Sequence, residues 1–124
     1  MKLDSGVITA ELRYIYSTDI DVDTYRSPTP DDDGQWIRLI VGPKDALGEE
    51  SLDVLVCTSH WLAREIRDNG PRLVRHTLLM PEFDIHTAEA ILRREVEKAT
   101  GETWEDVAQS LVQTGYWEFD SYRP

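Results

Sequence analysis

"LDVLVCTSHWLAREIRDNG", residues 52 to 70, changes its periodicity halfway along. Residues 52 to 57 are almost continuously apolar, the pattern of a central strand covered on both faces. Thr58 or Ser59 then serves as a helix cap, and Trp61, Leu62 and Ile66 form an inward face until Gly70-Pro71 ends the helix. A further strand-like run, "RLVRHTLLMP" (72–81), follows at a distance that allows a helical crossover, so the two strands can run parallel.

Upstream, "GVITAELRYIYS" (6–17) sets Ile8, Ala10, Leu12, Tyr14 and Tyr16 on one strand face, with Glu11 and Arg13 on the other. "QWIRLIVGP" (35–43) does the same with Ile37, Leu39 and Val41 and stops at Gly42-Pro43, because proline lacks the ladder donor. Downstream, Asp84 caps a helix whose Ile85, Ala88, Ile91, Leu92, Val96 and Ala99 form one stripe. Thr103 caps another, in which Trp104, Val107, Ala108, Leu111 and Val112 keep helical spacing before Gly115. The expected fold class is α+β: a single mixed or antiparallel four-stranded sheet with three helices packed on it, in the order βββαβαα. Residues 1–124 form a single domain, long enough to bury roughly two-thirds of its unfolded surface.

Thirteen basic against 24 acidic residues give a net charge of −11. Such a field repels nucleic acid and anionic membrane and speeds encounter with a cationic protein. The one cysteine, Cys57, excludes an internal disulfide and suits a reducing compartment. The start of the chain has no apolar signal-peptide core, and no run approaches the 18 or so apolar residues of a membrane helix, so cytoplasmic residence is expected.

The acids gather in "STDIDVDTYRSPTPDDDG" (17–34), where Asp19, Asp21 and Asp23 alternate and Asp31, Asp32 and Asp33 follow in a row. This connection is far longer than a usual hairpin loop, and such loops are functional or disordered. A calcium loop begun at Asp19 would need Gly at position 6 and Glu at position 12, where Thr24 and Pro30 stand instead. Glu49 and Glu50 add acidity to the next connection.

Other constellations have ordinary structural explanations. Cys57 and His60 resemble a nucleophile and base, yet the thiol ends an apolar strand and no third group orients the imidazole. His60, His76 and His86 lack zinc spacing, and His76 reads as a core or rim histidine within the fourth strand. Glu102, Glu105 and Asp106 stand where acids complement a helix dipole. No phosphate loop, dinucleotide fingerprint or metalloprotease motif is present, so no catalytic residue, metal or cofactor is expected.

"GPK" (42–44), "DVLVCTSHWL" (53–62), "TWEDVAQSL" (103–111) and "WEF" (117–119) together resemble, in order and spacing, immunity protein family eight of bacterial polymorphic toxin systems. The resemblance runs from the second strand to the tail; Ser59 stands where many members have proline, a helix N1 position at which proline is merely convenient. It implies a non-enzymatic antitoxin that binds a cognate toxin domain, in some cases a nuclease with a basic cleft, and occludes its active site. The expected toxin-facing residues are Asp19, Asp21, Asp23, Tyr25, Asp31, Asp32, Asp33, Glu49, Glu50 and Trp117, with Trp61 and Trp104 structural. The alternative from the residues alone is a small carboxylate-dependent enzyme or cation-binding protein. A third reading is a module of a larger assembly that docks through the tail "YWEFDSYRP" (116–124).

Overall fold

The computed structural model describes residues 6–117, with Trp117 described by its backbone alone. The elements are β1 (Ile8–Tyr16), β2 (Gly34–Pro43), β3 (Glu50–Thr58), α1 (Ser59–Asn69), β4 (Thr77–Met80), α2 (Ile85–Glu97), β5 (Thr100–Gly101), α3 (Trp104–Leu111) and β6 (Tyr116–Trp117). The sheet order is β4-β3-β2-β1-β5, and β6 pairs with β3 off that path.

The sheet is mixed: β1, β2 and β3 are antiparallel neighbours, while β3 and β4 run parallel with Leu55 opposite Thr77 and Thr58 opposite Met80. The α+β class and the three helices are as expected. The strand number is not four: β5 and β6 add two short pairings, Ile8 opposite Gly101 and Leu52 opposite Trp117. Two residues are too few to show a period of two, which is why the expected order ended in two uninterrupted helices.

One face of the sheet carries the core. Ala10 and Leu12 of β1, Ile37, Leu39 and Val41 of β2, and Leu52, Val54 and Val56 of β3 meet Ala88, Leu92 and Val96 of α2 and Val107 and Leu111 of α3. Each fully buried branched aliphatic side chain contributes about 1.5–3 kcal/mol. The helix caps are those expected: Thr58, Asp84 and Thr103 accept hydrogen bonds from the backbone N–H groups of the turns they open.

Helix α1 is different, because none of its residues is buried. Trp61 and Leu62 are half-buried and Ile66 is exposed. The Trp61 indole occupies the space where a side chain at residue 34 would stand, which only glycine leaves open. Gly34, Trp36 and Arg38 alternate along β2 away from the core, so α1 begins on the opposite face.

Two strand expectations are corrected. The β1 register shifts between Leu12 and Tyr14, a bulge that moves Ile15 into the core and turns Tyr14 and Tyr16 outward. Leu12 and Tyr14 therefore do not share a face. The fourth strand is confined to Thr77–Met80: Leu73 and Val74 are exposed in the preceding segment, and His76 precedes the strand with a φ of 51°. Its imidazole meets the Tyr116 ring edge-on at 4.3 Å.

Candidate acidic interface

The connection from Ser17 to Asp33 is tied into the domain along its length. Ile20, Val22 and Tyr25 pack against the core. The Asp21 carbonyl accepts from the N–H groups of Thr24 (3.2 Å) and Tyr25 (2.9 Å), and its carboxylate accepts from the Asp23 N–H at 3.0 Å. That side chain closes a local turn, a common use of aspartate.

Asp33 is buried. Its carboxylate accepts from the Tyr25 hydroxyl and, at 3.0 Å, from the Gln35 amide. Its backbone N–H donates to the Thr58 hydroxyl at 3.3 Å, while its carbonyl accepts from the Thr58 N–H at 2.9 Å. Burial and the Asp33 carboxylate both push the Tyr25 phenol above its usual value, so it remains a donor at neutral pH.

Asp32 meets Arg64 of α1 in a two-pronged pair of 2.8 and 3.1 Å, with the His60 imidazole 3.9 Å away. Arg64 holds the Asp32 carboxyl below the usual carboxylate range. From the other side, the Phe83 N–H donates to the Pro30 carbonyl at 2.7 Å, and the Phe83 ring stands edge-on to Tyr25 with centroids 5.7 Å apart.

The six aspartates therefore divide. Asp32 and Asp33 hold the connection to α1 and β3, and Asp21 shapes a turn. Asp19, Asp23 and Asp31 are exposed, and their carboxylates make no hydrogen bond or ion pair among the described residues. A charge run in sequence does not reveal this division, because Arg64 and Thr58 lie roughly thirty residues away.

Glu49 and Glu50 are not beside this connection. They lie at the far end of the β2–β3 pair, where Glu49 stands 3.8 Å from Arg13 and Glu50 accepts from the Trp104 indole N–H at 2.5 Å. Trp117 pairs through its backbone opposite Leu52, and residues 118–124, with the rest of the "WEF" motif, lie outside the described residues.

A groove of about 720 Å³ opens between the first connection and the start of α2, bordered by Asp23, Arg26, Glu82 and Asp84 and floored by Tyr25 and Phe83. Sequence reading found Asp84 as a cap but missed Glu82 and Phe83, which carry no local signal. Asp84 accepts from the N–H groups of His86 and Thr87, and these bonds hold its carboxyl below the usual range.

Cys57 is fully buried, and burial pushes its thiol up to about 11, leaving it protonated at neutral pH. Among the described residues no group of three or more His, Cys, Asp or Glu side chains is placed to hold a metal ion, and no helix is long and apolar enough to cross a membrane. What the site presents is an acidic surface at one end of the sheet, on a connection tied to α1, β3 and the segment before α2.

Comparison with known proteins agrees with the motifs. The family model described as Immunity protein 8 matches residues 10–122, nearly the whole chain. No curated protein and no solved structure matches significantly. The chain belongs to the Immunity protein 8 family.

Proposed function

We propose that this immunity protein neutralises a cognate toxin domain by covering its active site, and that Asp19, Asp23 and Asp31 form the acidic part of the covering surface. The family supplies the immunity role and, in general terms, a toxin partner. The observation that carries the surface assignment is the set of unpaired, exposed carboxylates on a connection clamped from three sides, by Arg64, Thr58 and Phe83.

The physical logic is that of a preformed counter-charge. A nuclease-type toxin that binds phosphates keeps a basic cleft, and carboxylates on a fixed frame can occupy it without ordering a flexible loop first. Carboxylates at a solvent-exposed rim chiefly raise the association rate, while those that become desolvated against Arg or Lys slow dissociation. Tyr25 contributes as a brace, since its hydroxyl is already engaged by Asp33.

The test is association kinetics with the cognate toxin domain, found by co-expressing candidate toxin domains with this protein. Replacing Asp19, Asp23 and Asp31 together by asparagine should slow association about tenfold at low ionic strength and flatten its salt dependence. An unchanged rate at low salt would reduce the connection to a solvated link between strands.

A further inference from the structure

The groove between the first connection and the start of α2 has a chemistry that the rest of the acidic surface lacks. Asp23 and Glu82 are exposed on its rim without ion pairs among the described residues, and Asp84 adds a third carboxylate. Among the described residues Arg26 is the one guanidinium lining the groove with them, with His86 beside Asp84. Asp84 is already engaged as the α2 cap, so Asp23 and Glu82 are the two uncommitted acids, and they face one exposed cation.

The floor is aromatic and held by contacts on two sides. Tyr25 is half-buried, its ring held edge-on by Phe83 and its hydroxyl by Asp33. The two walls are joined by the bond from the Phe83 N–H to the Pro30 carbonyl, so the groove exists before any partner arrives.

We infer that this groove seats an arginine side chain of the toxin partner, its guanidinium between Asp23 and Glu82 and its stem along the Tyr25 ring. The assignment rests on the toxin-binding reading and narrows it to a contact. A planar guanidinium matches the site better than an ammonium, because it takes paired bonds from carboxylates and also stacks on an aromatic face. An acidic segment would meet three carboxylates, and a purely apolar one would leave them unpaired. Asp19 and Asp31 lie outside the groove and have no aromatic floor, which makes them internal controls.

The first measurement needs no toxin. Backbone amide NMR of the full chain is followed during titration with the blocked peptide Gly-Arg-Gly-Arg-Gly, with the citrulline version as a neutral counterpart of the same shape. Shifts should concentrate at residues 23–30 and 82–86 with the arginine peptide and be absent with citrulline. The Asp23→Asn/Glu82→Gln double variant should weaken peptide binding about fivefold, while Asp31→Asn leaves it unchanged. Both groove positions are exposed, so an unaltered melting temperature confirms that the fold is intact. Shifts spread evenly over all exposed acids, or binding indifferent to the double variant, would overturn the groove.

The second measurement uses the same toxin domain. The double variant should raise its dissociation rate about tenfold, against no change for Glu97→Gln at the far end of α2. If wild-type protein binds the toxin but the double variant dissociates no faster than Glu97→Gln, the arginine seat falls and the toxin reading stands. If wild-type protein does not bind the toxin, both fall, and any arginine-peptide shifts belong to some other basic partner.

Discussion

The two acidic connections at opposite ends of the sheet are held by opposite means. They lie roughly 30 Å apart, the length of the β2 strand between them. In the Ser17–Asp33 connection the acids themselves are the ties: Asp33 to Tyr25 and Gln35, Asp32 to Arg64. In the Lys44–Glu49 connection the tie is a cation from outside, since Arg13 of β1 donates to the carbonyls of Pro43 and Ala46, each at 2.8 Å. Acids gathered in sequence are therefore not equally available charge. Where they hold the backbone they are spent; where arginine holds it they stay at the periphery.

The sharpest way to break this comparison is to remove the inner tie. Asp33→Ala leaves the buried end of the connection without an acceptor for two donors, and should cost about 3 kcal/mol. Urea unfolding with an unchanged denaturant slope would measure it. A cost no larger than that of an exposed aspartate would show that the connection is held by packing alone.

Arg13→Ala makes the corresponding cut at the other end. Two charge-assisted bonds to carbonyls are lost from a side chain that is 21% exposed, so a cost of about 1.5 kcal/mol is expected. Tyr14, the next residue in β1, is half-exposed and touches neither carbonyl; Tyr14→Ala is the control and should cost clearly less.

The surface tie through Asp32 is smaller and is recognised by its pH dependence. Its carboxyl is lowered by Arg64, so its stabilising contribution is complete above the ordinary carboxylate value of about 4 and is lost as pH falls through the lower folded value. The unfolding curves of wild type and Asp32→Asn should thus differ at neutral pH and converge on acidification. A gap that stays constant with pH would assign the effect of the substitution to shape rather than charge.

The parts of the molecule with a local signal were the legible ones. Capping residues Thr58, Asp84 and Thr103, the apolar run of β3 and the stripe of α2 each follow from spacing within about one turn or one strand. The chain length between the two runs allowed the parallel β3–β4 pairing without choosing it over an antiparallel one. The β1 bulge did not, because alternation in "ELRYIY" (11–16) looks unbroken until a partner strand supplies the register. Helix α1 shows the same limit: Trp61, Leu62 and Ile66 have helical spacing, yet whether that face is covered depends on where the crossover lands. In the site, the gathering of acids was legible and their division was not, since Asp32 and Asp33 are distinguished from Asp31 by Arg64, Thr58, Tyr25 and Gln35.

That division has its finest test in the residues that should do least for the fold. Asp19, Asp23 and Asp31 are exposed carboxylates on a chain carrying a net charge of −11, so each lies in a repulsive field and makes no compensating bond within the described residues. Neutralising all three with asparagine removes repulsion and nothing else. Stability should stay within about 0.5 kcal/mol of wild type and lie on the stabilising side at low ionic strength. The gain should vanish near 0.1 M salt, where the screening length is about 10 Å. The same triple variant slows toxin association under the proposal above, so fold and binding should move in opposite directions. A destabilisation approaching that of Asp33→Ala would place these three among the ties and leave the acidic end without charge to spare for a partner.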